Sequence, residues 1–221
     1  LSLLLLGSIT LGSCSRSGGN EFTAEGTITD AAGKTLYLET TDTDEPQLID
    51  SVTLDEKGHF RFRREAHSYP AFYRLRLGES FIPFAADSVT HLTLSASGKD
   101  LFSTYKIESG DEANKQIREI GQLRTATDKA IEAILTQLNN GALDRGIALA
   151  RIDSLSTQLK NTLTSKYIFS DPKGAAAYYA LFQSYLGGTY FSIDHPGDDR
   201  AFSAVATAYD AFHPNAPYTP L

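Results

Sequence analysis

Residues 48–63 read LIDSVTLDEKGHFRFR, and this run decides the fold. Leu48-Ile49-Asp50-Ser51-Val52-Thr53-Leu54 carries the β-branched and aliphatic side chains that suit a pleated surface. Asp55-Glu56-Lys57-Gly58 supplies turn chemistry, and His59-Phe60-Arg61-Phe62-Arg63 returns with Phe60 and Phe62 alternating against His59, Arg61 and Arg63. A period of two places one set of side chains on a dry face and the other on a wet one. The run predicts a hairpin.

The same pattern extends outward on both sides. Upstream, Gly26-Thr27-Ile28-Thr29-Asp30 and Thr35-Leu36-Tyr37-Leu38-Glu39 flank the turn residues Ala31-Ala32-Gly33-Lys34. Downstream, Phe72-Tyr73-Arg74-Leu75-Arg76-Leu77 alternates, Gly78-Glu79 turns it, and Phe81-Ile82-Pro83-Phe84 comes back, followed by a strand over 88–94. Roughly seven strands at intervals of about 8–12 residues predict an antiparallel β-sandwich over residues 22–108.

Beyond Gly110 the apolar period becomes 3.6. Ile117, Ile120, Leu123, Ile131, Ile134, Leu135 and Leu138 mark one face of a long helix closed by Asn139-Asn140-Gly141. Leu143, Ile147, Ile152, Leu155, Leu159 and Leu163 mark a second helix, expected to lie against the first as a helical hairpin. Asp171-Pro172 predicts the start of a third, ended by Gly187-Gly188, and a fourth runs from about 198 to 212 before Pro214. The fold class expected is therefore α+β: an N-terminal antiparallel β-sandwich, then a helical region of about four helices over 109–221.

The N-terminal residues carry a different message. Residues 1–13, LSLLLLGSITLGS, read as the apolar core of a secretory signal peptide, too short to span a bilayer, which takes about 20 apolar residues. Leu11-Gly12-Ser13-Cys14 matches a bacterial lipobox, so Cys14 is expected to be the lipidation site. Small residues before the cysteine let the signal peptidase reach the backbone, and the thiol accepts the diacylglycerol. Residues 14–21 then form a lipidated, Ser/Gly-rich tether. Ser15, not being acidic, favours the outer membrane facing the periplasm. With no Met in the chain, residue 1 is not expected to be a translation start.

Composition narrows the partners. A net charge of −7 argues against nucleic acid, whose phosphates need a basic surface. The one cysteine excludes a CxxC pair or a thiolate zinc site within these residues. His59, His67, His91, His195 and His213 are never three or four apart, so no helical metal pair exists. Asp194-His195-Pro196-Gly197-Asp198-Asp199 is the most site-like loop, but it lacks the spacing of a calcium loop and reads as a helix-capping acidic segment. No GxSxG or other catalytic motif is present, and no cofactor or metal is expected. Tyr178, Phe182 and Tyr185 form a possible binding groove, with core packing as the alternative.

The segments 22–39 (FTAEGTITDAAGKTLYLE), 49–63, 72–77 and 81–96, with Gly26, Asp50-Ser51, Asp55, Gly58 and Phe60, resemble a domain family of unknown function. That family stands at the N-terminus of envelope lipoproteins that continue into a thioredoxin-like domain of the TlpA/ResA type. Residues 201–214 (AFSAVATAYDAFHP) look like the segment joining the two. The resemblance implies a periplasmic thiol:disulfide oxidoreductase whose redox pair would lie beyond Leu221. No catalytic residue carries over to this chain. A stand-alone envelope lipoprotein that binds a ligand or partner protein is the other expectation, and a structural or assembly lipoprotein a third.

Overall fold

A computed structural model describes residues 20–41, 45–109, 111–185 and 188–217. The expected signal peptide and Cys14 lie outside the described residues. The rest is α+β, with mostly antiparallel sheets and five α-helices.

The strands are β1 (Glu21–Thr29), β2 (Thr35–Thr40), β3 (Gln47–Thr53), β4 (His59–Glu65), β5 (Ala71–Leu77), β6 (Ser80–Ala86) and β7 (His91–Ser97). A four-residue helix, α1 (Leu101–Thr104), leads into the two-residue β8 (Lys106–Ile107). One sheet has the order β4-β1-β7-β8 and the other β3-β2-β5-β6. Phe22, Ala24 and Ile28 of β1, Leu36 and Leu38 of β2, Phe62 of β4, Leu75 of β5 and Phe84 of β6 belong to one buried cluster, so the two sheets share a core. Phe22 from the first sheet meets Tyr73 from the second with ring centroids 4.8 Å apart.

The expected hairpin at residues 48–63 is not one. β3 pairs with β2, while β4 pairs with β1 in the other sheet. The turn forms as expected, with the backbone N–H groups of Lys57 and His59 donating to Asp55 Oδ1 at 2.9 and 2.8 Å. Instead of folding back, however, the chain arches from one sheet to the other. Leu54 at the arch is buried. Asp50 and Arg64 form an ion pair across the gap between β3 and β4. Gly58 has φ +78°, and a Cβ there would sit 1.9 Å from Ile28 O, so only glycine lets the turn press against β1. Gly58 O accepts the Ile28 N–H at 2.8 Å.

The sheets are also not wholly antiparallel. β1 runs parallel to β7, with Thr23 opposite His91 and Ile28 opposite Ala96. Gly26, at φ +155°, allows this pairing, since a Cβ would lie 1.8 Å from Leu94 O. The hairpin the sequence does place correctly is β5–β6, turned at Gly78 with φ +62°.

The helical half holds α2 (Glu112–Asn139), α3 (Arg145–Leu163), a π-helical turn (Thr164–Ile168), α4 (Ala175–Leu181) and α5 (Asp199–Phe212). With α1 this makes five α-helices among the described residues, against the four expected. Asp111 and Asp144 cap α2 and α3 by accepting backbone N–H groups of their first turns. The stripe read for α3 is only partly the packed face: Leu159 and Leu163 are buried, but Ile147 is exposed. The third helix begins at Ala175 with Gly174 at its cap, not at Pro172, and ends at Leu181. After it, β9 (Ser184–Tyr185) pairs with β10 (Gly188–Thr189).

Asn114 joins the two halves. It is 2 % exposed, and it lies against β6, the outer strand of the second sheet. Its Oδ1 accepts the Ala85 N–H at 2.8 Å, and its Nδ2 donates to Ala85 O at 2.8 Å. Nδ2 also donates to Asp111 Oδ2 at 2.8 Å. The side chain thus does for the strand edge what a neighbouring backbone would do. Pro83, on the same edge strand, offers no N–H to pair.

Candidate functional site

The outward face of the second sheet carries an unusual charge. Glu39 is 5 % exposed although its β2 neighbours Leu38 and Thr40 point the other way. Antiparallel register sets Glu39 opposite Arg74, and Tyr37 opposite Arg76. Arg74 Nε donates to Glu39 Oε2 at 2.6 Å and Arg76 Nε to Oε1 at 2.8 Å, so both carboxylate oxygens are engaged. Burial pushes the Glu39 carboxyl up, but the hydrogen bonds and charges of Arg74 and Arg76 outweigh it and hold it below its ordinary value. Aromatic rings cover the two cations: Arg74 lies 5.1 Å from the Phe81 centroid and Arg76 4.4 Å from that of Tyr37.

Helices close over part of this face and leave a cleft of about 500 Å³, lined by Arg74, Phe81, Phe102, Arg124, Tyr179 and Phe182 among others. It shares Tyr73, Pro83, Tyr179, Phe182 and Gln183 with a recess of about 260 Å³ that runs on to Phe72 and Tyr178. Arg124, on α2, reaches the cleft held by Asp128, one turn later, with NH1 to Oδ2 at 2.8 Å. Asp128 is itself buried and accepts from Tyr190 OH at 2.7 Å. Burial and this carboxylate both raise the Tyr190 phenol, keeping it a neutral donor. Gln183 is buried, and its Nε2 donates to Tyr179 O at 2.7 Å.

Of the three aromatic residues expected to form a groove, two come together. Tyr178 and Phe182 have ring centroids 4.7 Å apart, and both line the recess. Tyr178 also packs on Phe72 and Tyr209, each at 5.3 Å, which makes it as much core as groove. Tyr185 does not join them. Because α4 stops at Leu181, Tyr185 turns to a separate pocket of about 340 Å³ with Ile131, Leu135, Ile152 and Tyr190. Its buried hydroxyl has no hydrogen-bond partner among the described residues.

The remaining sequence candidates scatter. His59 Nδ1 pairs with Asp55 at 3.0 Å on an exposed turn, and His91 Nδ1 with Thr23 Oγ1 at 2.9 Å. His67 stacks on Tyr69, and His213 Nε2 meets Lys173 O at 3.0 Å. The acidic loop at 194–199 does stand at a helix start, with Asp198 the N-cap residue of α5 and Asp199 in its first turn, but the Asp198 side chain makes no cap hydrogen bond. That carboxylate turns inward, where Lys160 Nζ lies 2.7 Å away and the Ser192 N–H donates to it at 3.1 Å. Among the described residues, no group of three or more His, Cys, Asp or Glu could hold a metal ion, and no helix is long and apolar enough to cross a membrane.

Glu39, Arg74 and Arg124 were not candidates from the sequence. The alternation of residues 72–77 puts Arg74 and Arg76 on one outward face, but their shared carboxylate comes from a strand about 35 residues earlier. No protein-family model matches the chain, no curated protein matches it, and no solved structure matches it.

Proposed function

We propose that this chain is a lipid-anchored, non-catalytic module of the cell envelope, the N-terminal part of a thioredoxin-like thiol:disulfide oxidoreductase whose redox pair is not among these residues. The observation that carries this reading is Leu11-Gly12-Ser13-Cys14 at the end of an apolar run, with Cys14 the sole cysteine. Lipidation consumes the only thiol, so disulfide chemistry would have to come from another segment. Residues 22–108 then act as a β-sandwich whose outward face is partly closed by the helical region over 109–221. Several acyl chains on one cysteine anchor stably, at about 0.8 kcal/mol per buried methylene.

Labelling cells with a clickable palmitate analogue tests the anchor. Incorporation into the wild-type chain, lost on Cys14→Ala, supports it, and equal labelling of both removes it. Reading the gene past codon 221 tests the second half: a WCxxC motif in the following segment supports the oxidoreductase, and a stop codon removes it. The second reading, a stand-alone binding lipoprotein in the periplasm, is favoured by the open cleft between Arg74 and Phe182.

A further inference from the structure

We propose that the cleft binds small organic monocarboxylates, with the carboxylate on the guanidinium edges of Arg74 and Arg124 and an aromatic or aliphatic body against Phe102, Tyr179 and Phe182. The inference rests on the binding reading of this cleft and is independent of the anchor.

Both arginines line one cleft, and each is fixed from behind by a buried carboxylate. Arg74 uses only Nε on Glu39, and Arg124 only NH1 on Asp128. The other guanidinium N–H groups of these two residues donate to no described residue. The Arg74 side chain is 22 % exposed, so those donors are neither solvated like a surface arginine's nor satisfied like a core one's. An arginine oriented in advance on one side offers its remaining fork to a second carboxylate without paying again for ordering.

Charge sets the valence of the ligand. Glu39 is shared between Arg74 and Arg76, Arg124 and Asp128 cancel, and Glu79 also lines the cleft, so the site carries no large positive excess. That balance suits a single carboxylate better than a phosphate dianion. Shape sets the rest. Phe81 is 41 % exposed and Phe182 43 %, at the rim of a volume within the ordinary range for small-molecule sites. Gln183, buried on the same wall, adds a polar amide.

Titrating the full chain with 3-phenylpropionate, followed by calorimetry and by NMR shifts, tests the proposal. The probes for comparison are 3-phenylpropionamide and inorganic phosphate. Saturable binding of the acid is expected, at least about tenfold weaker for the amide, for Arg74→Gln and for Arg124→Gln, the size of losing hydrogen bonds to a charged group. Arg76→Gln is the comparison, because it removes an equal bond to Glu39 from a residue outside the cleft lining, and it should weaken binding less than Arg74→Gln does. The proposal is overturned if no saturation occurs below about 10 mM. It is equally overturned if amide or phosphate binds as well as the acid, or if Arg76→Gln weakens binding as much as Arg74→Gln. Should Arg74→Gln fail to fold, Arg124→Gln against Arg76→Gln decides. A failed titration leaves palmitate labelling at Cys14 untouched, so the ligand class and the anchored-module reading fail separately.

Discussion

Replacing Asn114 by Leu should be among the most damaging single changes in this protein. The substitution conserves bulk and removes every polar contact that ties α2 to β6. Ala85 N–H and Ala85 O would both lose their partner at 2.8 Å, in a site where Ala85 and Asn114 are each buried. A buried backbone group left unpaired costs about 1–3 kcal/mol, so the two together should cost about 2–6 kcal/mol. The lower end applies if water reaches Ala85 from the neighbouring pocket lined by Ala86, Asp111 and Ala113. Urea unfolding followed by far-UV circular dichroism gives the loss, and amide exchange at Ala85 locates it. Asn114→Asp sharpens the test. It keeps an acceptor for Ala85 N–H but turns a carboxylate toward Ala85 O and Asp111, and protonation restores a donor. Its defect should therefore shrink as pH falls. A loss below about 0.5 kcal/mol for Asn114→Leu, the size of an ordinary surface change, would refute the account of Asn114 as a surrogate strand.

Three further outcomes follow from the same geometry. Glu39→Gln should flatten the acid side of the stability curve: a carboxyl held below its ordinary pKa contributes stability above the ordinary glutamate value and loses it as pH falls through the folded one, as pH-dependent unfolding would show. Gly26→Ala should cost at least about 1–3 kcal/mol in backbone strain, before the clash with Leu94 O, and should lower the denaturation midpoint accordingly. Asp198→Ala should loosen α5 by leaving Lys160 without its buried partner, a change of about 3–5 kcal/mol readable in chemical unfolding.

The elements were legible because each is written locally. Phe60 and Phe62, or Leu36 and Leu38, alternate whatever strand they pair with, and Ile117, Ile120, Ile131 and Ile134 recur at helical spacing before their neighbours are known. Pairing was not legible. Asp55 and Gly58 build the same turn in a hairpin and in an arch between sheets; the choice is made by Leu54 entering the core and by Asp50 meeting Arg64. The limits of α4 were misread because Asp171-Pro172 and Gly187-Gly188 look like helix punctuation on their own. In the fold, Asp171 O instead accepts the Gly174 N–H at 2.9 Å in a turn before the helix. The cleft was hidden for the same reason as the arch. Glu39 reads as an ordinary outward strand residue until β5 brings two arginines to it, and Tyr185 reads as a continuation of the Tyr178 face until the helix stops.

The parallel pairing of β1 with β7 bears on the order in which the chain can fold. β1 leaves the ribosome first among the strands, yet its partner on one side lies 68 residues downstream at His91. Closing so long a loop is slow, and nothing local substitutes for it. Until residue 97 has emerged, Ala24 and Ile28 belong to a strand with one edge bare, and the first sheet does not exist as a unit. A nascent chain built this way stays threadable while its leading end is engaged elsewhere. The pairing that closes this edge of β1 becomes possible only once β7 has been delivered.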